Sequence, residues 1–324
     1  MTEFVIITAN DIHISDNGPR SRKDKFKSTV LDKIDQMGMA CRKLNADAAI
    51  IAGDLYNLKE PVKNSHNLNR ELINVFNNFS CPIYMIEGNH DLSANQIESL
   101  SDQPLGVLFA NKTLIQLRHN IIEKDGVKIS LVGLPYTEEP EIATFNLPEK
   151  GDCITQICAL HLYASLKGGV LYETKLYGYD ELEVLSPNIF ILGHYHIDQG
   201  IYKQNDKYFI NIGSMSRGAI SDDDIDHHPQ IGYIKISVEN NIPTYTIRPI
   251  RLRIRPTSEV FDMVKKKQEV KEKEEIRLFV EKLTSETMVD ASDKSKTIDE
   301  IIDSMNLIRA VQERVLYFIQ EASK

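Results

Sequence analysis

Five short polar segments of the chain combine aspartate, histidine and asparagine, side chains that bind transition-metal ions and transfer protons. Each segment directly follows an apolar run typical of a buried strand. The segments are Asp11-Ile12-His13, Gly53-Asp54, Gly88-Asn89-His90-Asp91, His161 and Gly193-His194-Tyr195-His196. Because the carboxyl ends of neighbouring parallel strands meet at one edge of a sheet, we expect these side chains to collect at that edge.

The residue types indicate a site for two metal ions. Oxygen and nitrogen ligands suit manganese, iron or zinc, and the lack of thiolates in the set argues against a structural zinc site. Seven ligands are too many for one ion, whereas two ions roughly 3.5–4 Å apart can share a carboxylate and hold a phosphate for attack by water. Asp54 is the natural shared ligand. His90 is left to stabilise the phosphoryl oxygens or protonate the leaving group, and Asp91 is expected to orient the His90 ring and keep it cationic.

The ordered pattern DxH, GD, GNHD, H and GHxH resembles the signature of calcineurin-like metallophosphoesterases. This resemblance implies a fold of the α/β class, a four-layer α-β-β-α sandwich. It also implies a role for each polar residue, with His90 and Asp91 as the catalytic pair. The implied ligands of the first ion are Asp11, His13, Asp54 and His196, and those of the second ion are Asp54, Asn89, His161 and His194.

Two further segments resemble a narrower family, the double-strand-break-repair nucleases, which include bacterial SbcD, the meiotic-recombination-eleven nuclease and shorter phage nucleases. The segments are ADAAIIAGDLY at 46–56 and INIGSMSR at 210–217, and the helical C-terminus is similar too. The resemblance implies a manganese-dependent DNA exonuclease or endonuclease of recombination and repair. It further implies a homodimer whose C-terminal helices bind an SMC-like ATPase of the SbcC type.

One position departs from that family pattern. Many members carry a histidine three residues after the second-motif aspartate, where this chain has Asn57. An amide can hydrogen-bond a phosphate but cannot carry a proton, so we expect Asn57 to bind substrate without transferring a proton. Arg217 follows the Gly213-Ser214 turn close to the metal motifs, and we expect it to contact substrate as well.

The hydrophobic pattern predicts the elements that position these residues. Apolar runs at 4–9, 48–52 and 83–86 alternate with helical repeats at 25–44 and 67–76, a rhythm typical of a sheet covered by helices. Further strands are predicted at 157–160 and 189–192, and hairpins turn at Asp125-Gly126, Asn205-Asp206 and Asn240-Asn241. We therefore predict a two-sheet sandwich flanked by helices.

Charge divides the chain near residue 250. Residues 251–324 hold 15 basic and 15 acidic residues, so the remaining 23 basic and 32 acidic residues of 1–250 carry the whole net charge of −9. We predict a nuclease domain at 1–250, a reduced capping or linker region at 251–296, and a helical tail for partner binding at 297–324. The tail begins with a Thr297-x-x-Glu300 capping box and continues with apolar residues at helical spacing.

Composition excludes several classes of protein. With 42% hydrophobic and 26% charged residues the chain is neither disordered nor fibrous, and no run approaches the roughly 18 to 20 apolar residues of a membrane span. The N-terminal residues lack the basic region of a signal peptide, and the four cysteines form no CxxC pair. We therefore expect a cytoplasmic protein that does not bind a membrane. The net negative charge argues against a protein that holds DNA by its overall charge. We expect instead that bound metal ions recognise the phosphate and that a partner protein helps to hold the DNA.

The same residues leave other functions open. A small-molecule phosphodiesterase or phosphatase would use the same ligands, and a non-catalytic interaction module could keep this fold without binding stoichiometric metal. Outside the five segments, His227-His228 beside the aspartates at 222–224 forms either another metal site or a solvated loop. The lysines at 265–267 either contact DNA phosphates or form the solvated face of a helix.

Overall fold

The computed structural model describes residues 1–262 except 20, 59, 61–62, 172–173 and 219–226, together with residues 264 and 271. The chain divides into two compact units, Met1–Val260 and Phe261–Lys324. The predicted tail at 297–324, the lysines at 265–267 and most of the predicted linker lie outside the described residues. The division at 250 and 296 therefore stays a prediction.

The first part of the chain alternates strands and helices, as the hydrophobic pattern predicts. Its elements are β1 (Thr2–Ala9), α1 (Phe26–Lys43), β2 (Ala48–Ile51), α2 (His66–Phe76), β3 (Ile83–Met85), α3 (Pro104–Ala110) and β4 (Ile115–Gln116). In α1 the buried residues Phe26, Val30, Ile34, Met37 and Cys41 recur every three or four positions and form one apolar face. The Ser65 side chain caps α2 by accepting a hydrogen bond from the Leu68 amide at 3.1 Å.

The second part consists mainly of strands. Its elements are β5 (His119–Lys124), β6 (Val127–Leu134), β7 (Thr155–Leu162), β8 (Ala164–Ser165), β9 (Gly169–Leu171), β10 (Thr174–Gly178), α4 (Tyr179–Leu182), β11 (Ile189–His194), β12 (Gly200–Gln204), β13 (Lys207–Asn211), β14 (Gln230–Glu239), β15 (Ile242–Arg251) and α5 (Thr257–Val260). The predicted hairpin turns are confirmed, because Asp125, Asn205 and Asn240 adopt the left-handed φ angles of 51–52° that such turns need.

Two sheets of six strands form the centre of the fold within the described residues. The first has the order β15-β14-β1-β2-β3-β4 and the second the order β12-β13-β11-β7-β6-β5. Strands β1, β2 and β3 run parallel in the first sheet, and β6, β7 and β11 run parallel in the second. Each sheet therefore has one edge at which several strands end, which is called the carboxyl edge below.

Alternating side chains of each strand enter different cores. Ile6 and Ile50 face the second sheet and pack between the two sheets, whereas Ile7 and Ile51 point the other way and pack under the helices α1, α2 and α3. On the far side of the second sheet, Phe190 and Phe209 pack against Tyr179 and neighbours from α4 and the short strands β8 and β10. The predicted sandwich of the α/β class is confirmed, with a thin outer layer because α4 is only one turn long.

No helix among the described residues combines the length and apolar character needed to cross a membrane.

Candidate metal centre

The five polar segments meet at the carboxyl edges of the two sheets. Asp11 and His13 follow β1, Asp54 follows β2, and Asn89 follows β3 in the first sheet. In the second sheet His161 lies near the end of β7, and His194 is the last residue of the adjacent parallel strand β11. Parallel pairing aligns the strand ends within each sheet, and the packing of the two sheets brings together side chains up to 185 positions apart in the sequence, as the motif positions predicted.

One cluster at this edge contains Asp11, His13, Asp54 and His196, and each offers a ligand atom within 4.8 Å of the others. The Nε2 atom of His13 lies 2.9 Å from Nε2 of His196 and 3.4 Å from Oδ2 of Asp54. The Nε2 atom of His196 lies 3.8 Å from Oδ1 of Asp11. These are the four residues expected for the first ion.

A second cluster shares Asp54 with the first and adds His161 and His194, again with ligand atoms within 4.8 Å of one another. The Nε2 atom of His161 lies 3.5 Å from Oδ2 of Asp54 and 3.3 Å from Oδ1 of Asn89. The structure therefore brings all seven predicted ligands together, with Asp54 at the junction of the two clusters.

The backbone at this edge is unusual. Asp11, His13, Asp54 and His194 have φ angles of 49°, 50°, 53° and 82°, in the left-handed region that L side chains avoid. Such conformations cost of order 1–3 kcal/mol each and persist where the surroundings impose them, most often at functional sites. Four of the seven predicted ligands are held in this way, so the fold stores conformational free energy in the ligand positions.

Glycines allow the loops at this edge to approach closely. Gly53 has a φ of 88°, and a Cβ there would lie 2.3 Å from Nδ1 of His161. A Cβ on Gly88 would lie 2.1 Å from Oδ1 of Asp54. Any larger residue at either position would displace a predicted ligand, which explains the glycines of the GD and GNHD motifs.

Hydrogen bonds orient the ligands from behind. The Asp11 carboxylate accepts the His194 amide at 2.9 Å, and Asp54 Oδ1 accepts the His90 amide at 2.8 Å. The Nδ1 atom of His161 lies 2.8 Å from the Ala52 carbonyl oxygen, to which it can only donate. That bond leaves Nε2 as the atom facing Asp54, the arrangement that a metal-binding histidine requires.

The side chains present fit a pair of cations. Oδ2 of Asp54 is buried and accepts no hydrogen bond from the described residues, although two histidine nitrogens lie near it. The facing Nε2 atoms of His13 and His196 need a proton or a cation between their lone pairs. A carboxylate oxygen and imidazole nitrogens that converge without satisfying one another form a suitable donor set for two divalent ions.

The electrostatics of the centre agree with this interpretation. Burial raises the pKa of Asp11. Burial and the neighbouring His161 lower the pKa of His194 to about 3, which keeps this imidazole neutral as a ligand must be. Burial opposes protonation of His161, but the Asp54 and Asp11 carboxylates outweigh it and raise the pKa to about 9. A cation beside His161 would take over the role of that proton.

Asp91 has a different role from the one predicted. Its carboxylate accepts the amides of Gly88 at 3.0 Å, Tyr56 at 3.0 Å and Leu55 at 3.3 Å, and so ties the GNHD turn to the segment after β2. Burial and the nearby Asp54 charge raise the pKa of Asp91 to about 8. The expected pairing of Asp91 with the His90 ring is wrong, because Asp91 bonds to backbone amides and positions the turn.

His90 is held by a backbone group. Its Nδ1 atom lies 2.9 Å from the carbonyl oxygen of Asn57, and its ring meets that of His13 edge-on with centroids 4.9 Å apart. The donated Nδ1 proton leaves Nε2 as the atom available for chemistry. Asn57 thus orients the His90 ring through its backbone carbonyl, and its amide side chain is half-buried; the predicted substrate contact of that amide stays a prediction.

Arg217 is buried and belongs to the framework. Its guanidinium donates to the Arg255 carbonyl oxygen at 2.8 Å and to Oγ1 of Thr257 at 3.3 Å. This gives Arg217 a structural role in place of the predicted substrate contact. His227 and His228 likewise lie beside backbone carbonyls, those of Ser214 and Leu252, at 2.6 and 2.9 Å. The aspartates at 222–224 lie outside the described residues.

Replacing Arg217 with methionine should destabilise the fold by about 2–4 kcal/mol, because the buried guanidinium would no longer donate to the Arg255 carbonyl oxygen and Thr257 Oγ1. The matched surface change Lys43→Met should alter the free energy of unfolding by less than about 0.5 kcal/mol. Urea denaturation of both variants measures the difference. An Arg217→Met variant as stable as the parent, with phosphodiester hydrolysis impaired, would restore the substrate role.

Two tyrosines near the clusters were not predicted from sequence. The rings of Tyr136 and Tyr163 are half-buried and lie 5.3 and 5.1 Å from the His194 ring, measured between centroids. Tyr136 comes just after β6 and Tyr163 just after β7, so their position after strand ends was the available signal. An aromatic side chain there can cover one side of a bound phosphoester.

Several known proteins are similar to this chain. The calcineurin-like phosphoesterase family matches residues 4–202, and no curated protein matches. A 5′-nucleotidase precursor from Thermus thermophilus shares 9% identity over 78% of this chain and 55% of its own, with a TM-score of 0.48, so this chain spans about half its length. A dimetal phosphatase from Danio rerio shares 12% identity over 78% of this chain and 99% of its own, with a TM-score of 0.44. An archaeal phosphodiesterase shares 15% identity over 78% of this chain and 100% of its own, with a TM-score of 0.36.

The family match runs from β1 through β12 and includes all seven predicted ligands. It covers more than half of the chain and the same segments that the structure brings together at the carboxyl edge. The chain belongs to the calcineurin-like phosphoesterase family.

Proposed function

We propose that this chain is a metal-dependent phosphodiesterase that cleaves DNA during recombination and repair. The observation that carries the hydrolytic part is the buried Asp54 carboxylate, which joins two clusters of three or more ligand residues. A dinuclear centre of this kind suits in-line displacement at phosphorus. The DNA part rests on the likeness of residues 46–56 and 210–217 to break-repair nucleases.

The geometry supports a proposed role for each residue. Asp11, His13 and His196 would hold one ion, and Asn89, His161 and His194 the other, with Asp54 shared. Such ions supply an activated water and neutralise phosphoryl charge when bound. We propose manganese as the native metal, which oxygen and nitrogen ligands accommodate.

His90 is the candidate general acid. Its Nδ1 atom is engaged with the Asn57 carbonyl oxygen, so the ring cannot turn away without breaking that bond. A proton on Nε2 would be donated to the departing oxygen, which lowers the barrier to leaving-group release. Asp91 contributes indirectly, because it fixes the backbone turn from which His90 projects.

The test is digestion of linear double-stranded and single-stranded DNA with manganese and with a chelator, next to a panel of nucleotide and aryl phosphoesters. Metal-dependent cleavage of DNA is the expected result. Turnover of small esters without any DNA cleavage would replace the proposal by a small-molecule phosphodiesterase, a function that the Tyr136 and Tyr163 rings beside His194 would also suit. Purified protein that binds no stoichiometric metal and hydrolyses neither substrate would indicate an interaction module.

We also propose that the chain works as a homodimer with an SMC-like ATPase that binds the C-terminal helices. The support is the amphipathic sequence of 297–324 and its likeness to short phage nucleases. Deleting 297–324 should weaken co-purification with that ATPase at least tenfold, because the apolar stripe would be lost. Hydrolysis of a small phosphodiester by the isolated chain should stay intact. Unchanged co-purification would refute the partner proposal.

A further inference from the structure

A basic groove lies beside the start of α1, separate from the metal ligands. It has a volume of about 500 Å³. Its lining residues come from the first turns of α1 and from the segment after β15, and they are Lys25, Ser28, Thr29, Asp32, Arg253, Ile254 and Arg255. Three of these seven side chains are cationic and one is anionic, in a chain whose net charge is −9.

The cations of the groove are available to a ligand. Lys25, Arg253 and Arg255 are exposed, and no hydrogen bond or ion pair engages their side chains among the described residues. The single acid, Asp32, accepts a hydrogen bond from Nε2 of Gln36 at 2.8 Å. The groove therefore presents uncompensated positive charge to solvent, which favours an anionic occupant.

The wall that carries the two arginines is rigidly attached to α1. Oε1 of Gln36 accepts the Arg253 amide at 2.7 Å, and its Nε2 donates to the Arg253 carbonyl oxygen at 3.1 Å. Leu252 between the strand and the groove is buried, whereas the side chains of Arg253 and Arg255 are exposed and both line the groove. The backbone from which Arg253 projects is therefore held by α1.

A second attachment joins this wall to the metal centre. The Arg217 guanidinium holds the Arg255 carbonyl oxygen at 2.8 Å. Two residues earlier, the Met215 amide lies 3.0 Å from the Asn10 carbonyl oxygen and 3.2 Å from that of Asp11. The buried Lys33 of α1 also donates to the Met215 carbonyl oxygen at 2.9 Å. The segment 215–217 therefore connects a predicted metal ligand to the groove through hydrogen bonds.

Topology places the groove at the same carboxyl edge as the metal ligands. Helix α1 follows β1 and leads to the parallel strand β2, so α1 begins at that edge. Strand β15 is antiparallel to β14, which is antiparallel to β1, so β15 also ends there. Thr8 of β1 pairs with Gly232 of β14, which pairs with Pro249 of β15. Strand β15 is therefore two strand spacings, roughly 10 Å, from β1.

We propose that this groove binds backbone phosphates of a nucleic-acid strand whose cleaved phosphate lies at the metal ligands. The proposal rests on the proposed function and extends it from the reaction centre to an extended substrate. Strands β15 and β1 lie roughly 10 Å apart, and phosphates along one strand of a duplex rise about 3.4 Å per nucleotide, so this spacing corresponds to about three nucleotides. A mononucleotide would not reach both sites, whereas a polymer would. Arginine is well suited to this role because its planar fork pairs with phosphate oxygens.

The groove is tested by DNA binding in the presence of a chelator, so that neither metal nor catalysis contributes. A fluorescein-labelled duplex is titrated with the full chain and with the double variant Arg253→Gln, Arg255→Gln over about 50 to 200 mM salt. The matched control is Lys43→Gln, Lys112→Gln, which removes the same charge from exposed sites. Lys43 ends α1 about 27 Å from Lys25, and Lys112 lies between α3 and β4, both at the opposite edge of the sheet.

The groove variant should bind about tenfold or more weakly, and the slope of log Kd against log salt should fall by about two, because each neutralised duplex phosphate contributes roughly 0.9. The control should keep the slope and affinity of the parent. An equal loss of DNA affinity in both variants, or no loss in either, would contradict the groove proposal. Thermal melting of each variant shows that the fold is intact.

The two proposals fail separately. Hydrolysis of bis(p-nitrophenyl) phosphate by the unmodified chain with manganese tests the metal centre alone, and its absence would remove the hydrolytic function while the binding titration still decides the groove. If the unmodified chain hydrolyses this ester but the groove variant binds DNA like its parent, the groove proposal is wrong and the hydrolytic function stands.

Discussion

Replacing Asp54 with asparagine should reduce metal-dependent phosphodiester hydrolysis by more than about a thousandfold. The shared carboxylate is expected to bind both ions, and several kcal/mol of transition-state stabilisation depend on them. Asparagine keeps the size of the side chain and an oxygen that can still accept the His90 amide, now 2.8 Å from Asp54 Oδ1. The change therefore removes charge with little change of shape. Metal content by mass spectrometry of the purified protein should fall from two ions toward none.

Asp47→Asn is the matched control for this change. Asp47 lies just before β2, whereas Asp54 lies just after it, so Asp47 is at the opposite end of this strand from the candidate metal ligands. The Asp47 carboxylate accepts a hydrogen bond from the Val5 amide at 2.8 Å. Asparagine can keep that bond, so both activity and metal content should match the parent. Full hydrolysis by Asp54→Asn with two bound ions would contradict the shared-ligand assignment.

Replacing His90 with asparagine should lower kcat by about 10²- to 10⁴-fold, the usual contribution of a general acid. Metal content should not change, because His90 bonds to the Asn57 carbonyl oxygen and is not among the clustered ligands. The melting temperature should also stay close to that of the parent, since the ring is only half-buried. This combination separates a proton donor from a ligand.

The leaving group sharpens the His90 test. Loss of a general acid matters most when the departing oxygen is basic, as in DNA, and least when it is a p-nitrophenolate that leaves unaided. The defect of His90→Asn should therefore be much larger on DNA or an alkyl diester than on bis(p-nitrophenyl) phosphate. His119→Asn, at an exposed histidine of β5, should leave both rates unchanged. Equal defects on both substrates would argue against proton donation.

The positions of the candidate metal ligands could be predicted from sequence because strand ends are local signals. Asp54 follows the apolar run of β2 and His194 ends that of β11; parallel pairing aligns the strand ends within each sheet, and the two sheets pack with these edges together. The roles of Asp91 and Arg217 could not be predicted in the same way. Asp91 accepts the backbone amide of Tyr56, 35 residues away, and Arg217 donates to the backbone carbonyl of Arg255, 38 residues away, and no short motif encodes either arrangement.

The basic groove could not be predicted from the sequence either. Arg253 and Arg255 stand in the sequence as ordinary charged residues after a strand, and Lys25 lies 228 positions before the first of them. The pairing of β15 with β14 and of β14 with β1 places them at the carboxyl edge, and Gln36 holds their segment against α1.

The sequence by itself thus determined the family, the sandwich of strands and helices, and the set of seven candidate metal ligands. Apolar periodicity and residue type are local properties, and they suffice for these features. The tertiary structure decided which atoms face one another, namely that Asp91 bonds to backbone amides, that Asn57 orients His90, and that Arg217 supports the framework. Those contacts depend on how distant segments pack, because a side chain bonds to whichever group the fold brings within reach.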